Sequence, residues 1–182
     1  MSKNASYGVA LRSKTLTVFR IRLVFPRSHA LSESFFATLY MNTCTHERFE
    51  AIAAEEWGCI PERFSRKIEN VALLIEDEPD AATRAEEGLG ADETLLGLYH
   101  GIPASARGDF YSGVLPDTIT LYYYPLLEEA EALLEERRTP SFEEAVRLAV
   151  RETLWHEVGH YFGMDERAVE AREDDGTNEF KK

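Results

Sequence analysis

Residues 154–166 read LWHEVGHYFGMDE, and the fold and the chemistry both depend on this stretch. It contains the pattern H-E-x-x-H, in which His156 and His160 stand four residues apart. In an α-helix this spacing places two side chains within about 40° of each other, one turn apart. Both imidazoles can therefore reach one metal ion. Glu157, beside the first of them, can act as a general base toward a water molecule on that ion.

The residues after the pattern predict a third ligand. Gly163 stands where a left-handed residue would end the helix and turn the chain back. Glu166 follows at the spacing H-E-x-x-H-x-x-G-x-x-ligand, which delivers a carboxylate to the face of the two histidines. Two histidines and one carboxylate leave a fourth position for water, as in a catalytic zinc site. Alternatively, Asp165 and Glu166 cap the next helix, or the two acids divide these roles.

Two further sets of residues are weaker candidates. Ligands from further along the chain could be Glu170, Glu173 and Glu179. We rank them below Glu166, because residues 173–182 are polar and are expected to form a frayed tail. Donors to a developing oxyanion could be Tyr99, His100, Tyr111, Tyr122, Tyr123 and Tyr124, none of which is singled out by its spacing. Trp155 and Phe162 flank the pattern at helical spacing and are predicted to pack the helix on a sheet.

Three apolar segments upstream predict β-strands. Residues 71–75 form a continuous apolar run and predict a buried strand, and residues 95–99 predict a second, short one. Residues 119–124 are β-branched and aromatic, which predicts a third strand ending at Pro125. Between the last two, residues 101–117 predict a long loop that could form one wall of a cleft.

Helical patterns surround these strands. Residues 46–57 carry apolar side chains at helical spacing, and a second helix is expected after Pro61. A third is predicted over residues 126–137. The long helix with the H-E-x-x-H pattern opens near Ser141, where Ser141 and Glu144 can form a capping box.

The charge distribution predicts where the domain begins. The 182 residues carry a net charge of -13, but residues 1–46 contribute +5 and the remainder -18. We therefore expect residues 1–45 to be a basic, disordered leader, or translation to start at Met41, and in either case a domain over residues 46–172. Residues 173–182 would be the polar tail.

Composition also excludes several classes of protein. The acidic balance argues against a nucleic-acid partner, and no apolar run reaches the roughly 18 to 20 residues of a membrane span. Cys44 and Cys59 are the two cysteines, too few for a disulfide framework, so a reducing compartment such as the cytoplasm is expected.

The chain resembles the small bacterial metallopeptidases that have a minimal matrix-metalloprotease-like domain. The likeness rests on VALLIEDEP at residues 71–79, LLGLYHGIP at 95–103, LPDTITLY at 115–122 and the motif at 154–166. The resemblance implies an α+β zincin fold, with a small mixed sheet of about three strands packed on helices in two layers. It also implies a zinc site at His156, Glu157 and His160. In this family the third-ligand position more often holds Asp than Glu, and no methionine follows Met164 to form a methionine turn.

We therefore expect a monomeric zinc hydrolase acting on peptide or protein substrates. In this hypothesis His156, His160 and Glu166 hold Zn²⁺ and Glu157 is the base. The alternative is a zinc-binding or weakly catalytic interaction module on the same fold. A groove beside the metal with an exposed strand edge near residues 95–100 would favour the peptidase, because extended peptides bind by strand addition. A chain without a metal site would have its two histidines pointing apart.

Overall fold

The computed structural model describes residues 20–22, 44–108 and 115–174, with the first of these ranges described at the level of the backbone. The strands in these ranges are β1 (Arg20–Arg22), β2 (Val71–Glu76), β3 (Glu93–Leu95), β4 (Gly97–His100) and β5 (Asp117–Tyr122). The α-helices are α1 (His46–Gly58), α2 (Glu62–Ser65), α3 (Ala81–Glu86), α4 (Tyr123–Glu135), α5 (Phe142–Tyr161) and α6 (Glu166–Asp174).

A three-stranded mixed sheet forms one layer of the fold, in the order β2-β5-β4. β5 pairs in parallel with β2, where Ile119 lies opposite Leu73, and antiparallel with β4, where Ile119 lies opposite Tyr99. The helices form the other layer, with α5 in contact with both β4 and β5. The predicted α+β fold with a small mixed sheet is therefore confirmed.

The strand boundaries differ from the prediction in three places. β2 is half-buried rather than buried: Leu74 and Glu76, which point to the same face of the sheet, are exposed. The second predicted strand is divided at Leu96 into β3 and β4. The third ends at Tyr122 instead of reaching Pro125, since α4 has already begun. Proline suits the first turn of a helix, where its missing N–H leaves no hydrogen bond unmade.

The long helix α5 is held at its start and along one side. At its start the Ser141 hydroxyl accepts a hydrogen bond from the Glu144 N–H at 3.3 Å, as half of the predicted capping box. Along its side, the buried carboxylate of Glu56 in α1 accepts from Arg151 Nε at 2.8 Å and from Arg147 Nη1 at 3.3 Å. These contacts hold α1 against α5 without leaving a buried charge unpaired.

The structure describes parts of the chain near both expected ends of the domain. Arg20–Arg22, within the segment expected to be disordered, forms a strand antiparallel to β3, with Arg20 opposite Leu95. Residues 1–19 and 23–43 lie outside the described residues, and the basic leader remains a prediction. At the other end α6 continues to Asp174, beyond the predicted boundary at residue 172. Within the described ranges, no helix has the length and apolar character that crossing a lipid bilayer requires.

Candidate metal centre

One face of α5 brings the two histidines of the motif together. The rings of His156 and His160 have centroids 4.7 Å apart, and the two residues are 1 % and 4 % exposed. Glu166, the first residue of α6, places its Oε2 atom 3.6 Å from Nε2 of each histidine. One ligand atom from each of the three residues lies within 4.8 Å of the others. The histidines therefore converge on one point instead of pointing apart.

A tight turn after α5 delivers Glu166 to this point. Gly163 has φ of 90°, in the left-handed region, and its N–H donates to the His160 carbonyl at 2.9 Å. A Cβ atom at Gly163 would lie only 1.9 Å from Ser105 Oγ, so a side chain here would be both strained and obstructed. The predicted left-handed residue at the helix end is thus present.

The two acids after this turn have different partners. Asp165 Oδ1 accepts a hydrogen bond from the Ala168 N–H at 3.0 Å and so caps α6. Glu166 instead extends toward the histidines. Asp165 thus caps the helix, whereas Glu166 lies beside the two histidines.

The Nδ1 atom of each histidine has an oxygen partner, which determines where the ring carries its proton. His160 Nδ1 lies 2.9 Å from the carbonyl oxygen of Met164, and a carbonyl oxygen can only accept. His156 Nδ1 lies 3.0 Å from Oε1 of Glu173, a carboxylate oxygen that can likewise accept. Each neutral ring therefore carries its hydrogen on Nδ1 and presents the lone pair of Nε2 toward Glu166.

This contact of Glu173 was not predicted, because residues 173–182 were expected to form a frayed tail. The available signal was the spacing: Glu173 follows Glu166 by seven residues, which is two turns of a helix and hence the same face. Glu170 is exposed and is not one of the converging residues, and Glu179 lies outside the described residues.

Glu157 lies on the neighbouring face of α5, with no exposed surface. Its Oε2 atom accepts a hydrogen bond from the Tyr99 N–H in β4 at 2.7 Å. Gly97 makes this approach possible, because a Cβ atom there would lie 2.6 Å from Thr153 Cγ2 and 3.2 Å from Glu157 Cγ. Neither Gly97 nor the Tyr99 N–H was identified from the sequence, since a backbone group leaves no compositional signal.

Burial and neighbouring charges shift the pKa values of Glu157, His160 and His156 in different directions. Burial raises the pKa of Glu157 to about 7, although His156 and the Tyr99 N–H oppose the increase. Burial lowers the pKa of His160. Burial also acts to lower the pKa of His156, but the Glu173 hydrogen bond and the nearby carboxylates outweigh it, so the net pKa of His156 is raised.

The donor set can be tested for its fit to a metal ion. Three atoms of the cluster are buried and have no hydrogen-bond partner among the described residues: Glu157 Oε1, His160 Nε2 and Glu166 Oε2. Buried polar atoms normally have partners, because leaving one unsatisfied costs roughly 1–3 kcal/mol. A cation bound to the histidines and Glu166 would satisfy two of these atoms. Two imidazole nitrogens and a carboxylate oxygen are also ligands that zinc prefers.

Two of the aromatic residues considered as oxyanion donors have hydrogen-bond partners elsewhere. The Tyr99 hydroxyl donates to Asp117 Oδ2 at 2.5 Å, and Arg107 Nη2 lies 2.5 Å from the same oxygen. The Tyr123 hydroxyl donates to the carbonyl of Cys44. Tyr122 is buried, whereas Tyr124 and His100 are exposed, and Tyr111 lies outside the described residues.

Trp155 and Phe162, which flank the motif, both pack on Phe64 of α2, with ring centroids 5.1 Å and 5.9 Å from it. Both also belong to the hydrophobic core that includes Ile119 and Leu121 of β5. Helical spacing placed them on one side of the motif, but it could not identify Phe64 as their partner.

The model of a family described as zincin-like metallopeptidase matches residues 68–176, more than half of the chain. The matched range runs from just before β2 to just past α6, and it includes every residue of the cluster described above. No curated protein matches the chain.

Proposed function

The chain belongs to the zincin-like metallopeptidase family, and from this premise we propose that it hydrolyses peptide bonds with a zinc ion held by His156, His160 and Glu166. The observation that carries the proposal is the convergence of buried atoms without hydrogen-bond partners on one side of α5. The substrate would be a peptide or an unfolded segment of a protein, since the family is one of peptidases.

When bound, zinc supplies a Lewis acid that lowers the pKa of a water molecule to about 7. Glu157 takes the proton from the attacking water and passes it to the leaving amine. Its two oxygens have separate tasks, because Oε2 is held by the Tyr99 N–H and Oε1 remains for the proton. A pKa near neutral suits a general base, and a nearby cation would lower that pKa by favouring the carboxylate.

A second function is supported by the burial of the site. Glu157 has no exposed surface, and it occupies the Tyr99 N–H on β4, a strand at the edge of the described sheet. An extended peptide that paired with β4 would have to displace this contact. These observations favour a protein that binds zinc and serves as an interaction module with little hydrolysis.

Elemental analysis and a cleavage assay distinguish the two functions. Both measurements are made on the full chain and on Glu157→Gln, which keeps the shape of the side chain but cannot act as a base. The peptidase predicts about one zinc ion per chain in both proteins, and cleavage of a peptide library by the parent alone. Zinc in both with cleavage in neither would favour the interaction module. Absence of zinc from both would contradict the two functions together.

A further inference from the structure

Helix α6 contributes two carboxylates to the side of α5 that carries the histidines. Glu166 and Glu173 lie two turns apart on one face of α6, and each has an oxygen near a histidine nitrogen. Glu166 approaches the Nε2 atoms, whereas Glu173 Oε1 lies 3.0 Å from Nδ1 of His156, on the other side of that ring. The contact of Glu173 is therefore not that of a metal ligand.

The two histidines are oriented by different kinds of group. His160 donates to the Met164 carbonyl, a backbone atom in the turn that follows its own helix. His156 donates instead to a side chain of the next helix, and that residue can be replaced by mutation. The side chain of His156 is almost fully buried, whereas that of Glu173 is about one third exposed. The carboxylate of Glu173 therefore remains in contact with water.

From this geometry we propose that Glu173 is a positioning residue of the metal centre. It holds the hydrogen of His156 on Nδ1, and it fixes the ring so that the lone pair of Nε2 faces Glu166 and His160. The proposal rests on the zinc site proposed above, and it concerns how tightly this chain binds the metal. Carboxylates that accept a hydrogen bond from a ligating histidine typically strengthen metal binding by about 10- to 100-fold.

Zinc affinity, measured on the full chain by competition with a chromophoric chelator, tests the proposal. Glu173→Ala removes the acceptor, so zinc affinity should fall by about 10- to 100-fold. Glu173→Gln keeps an oxygen that can accept from Nδ1, so it should recover most of that loss. Glu170→Ala is the matched control: it removes an exposed glutamate from the same helix, and it should change affinity by less than about 2-fold.

The nitrogen chemical shifts of His156 give a readout that a purely structural role of α6 would not move. In the metal-free parent, at a pH high enough that its ring is neutral, His156 should carry its hydrogen on Nδ1. In Glu173→Ala the two tautomers should be mixed, while His160 keeps its Nδ1 hydrogen. If Glu173→Ala fails to fold, Glu173→Met serves in its place, because it keeps the length of the side chain and has no oxygen acceptor.

The outcomes separate this proposal from the one on which it rests. A parent protein that binds no zinc contradicts the zinc site itself. In a second outcome the parent binds zinc, the folded variants that lack the acceptor bind it with equal affinity, and the tautomer of His156 is unchanged. That result would contradict the role of Glu173 but not the zinc site. An equal loss of zinc affinity in Glu173→Ala and Glu170→Ala would also contradict the role of Glu173. The loss would then come from removing any negative charge from the helix.

Discussion

At the scale of single residues, Glu157 should make the stability of the metal-free protein depend on pH. Its pKa is about 7 in the folded chain against a usual 4.5, so the folded state favours the protonated form. The stability that this gives is fully present below pH 4.5 and is lost as the pH rises toward 7. The loss amounts to about 3 kcal/mol of the free energy of unfolding.

Denaturant unfolding of the metal-free parent and of Glu157→Gln, at several pH values, measures this effect. The glutamine cannot ionise, so the variant should become more stable relative to the parent as the pH rises from about 5 to about 8. Glu170→Gln, at an exposed position, should follow the parent across the range. If the free energies of unfolding of the parent and of Glu157→Gln changed equally with pH, burial would not be raising the pKa of Glu157.

At the scale of elements, the contact between α5 and β4 depends on the absence of a side chain at Gly97. A methyl group there would lie 2.6 Å from Thr153 Cγ2, and both groups belong to the packed interior. Gly97→Ala should therefore destabilise the protein by about 1–3 kcal/mol, as overpacking of a core does, and should push Glu157 away from the Tyr99 N–H. Equilibrium unfolding checks the stability.

The control for this substitution is Gly58→Ala at the end of α1, where an added Cβ atom would meet nothing within 4 Å. It should leave the free energy of unfolding within about 0.5 kcal/mol of the parent. If Gly97→Ala were equally mild, α5 could move away from β4 at little cost, and the position of Glu157 would not depend on this close approach.

The elements also show which parts of the structure could be predicted from the sequence. The positions of His156 and His160 on one face follow from helical spacing, which is local, and the left-handed Gly163 follows from the same logic. The partner of Trp155 could not be found in this way, since hydrophobic spacing does not say which helix lies opposite. The role of Glu173 was missed because polar composition suggests a frayed end, whereas a contact with a buried histidine is a tertiary property.

At the scale of the whole molecule, the fold includes residues that precede the range matched by the family model. That range begins at residue 68, yet α1 and α2 both pack on α5. Glu56 of α1 pairs with Arg147 and Arg151, and Phe64 of α2 packs on Trp155, directly beside His156. The helix that carries the motif is thus held on one side by the sheet and on another by these two helices, which limits how far the histidines can move.

A metal bound at such a site should stabilise the entire fold, because the ligands come from two helices and approach each other only when the chain is folded. At a free zinc concentration about 100 times the dissociation constant, the free energy of unfolding should rise by about 2.7 kcal/mol. For a chain of this size that corresponds to a melting temperature higher by about 5–10 °C. Calorimetry of the full chain with zinc and with a chelator measures the shift, which Glu166→Ala should reduce and the exposed Glu170→Ala should not. A shift of equal size in Glu166→Ala would place the stabilising metal somewhere other than at the two histidines.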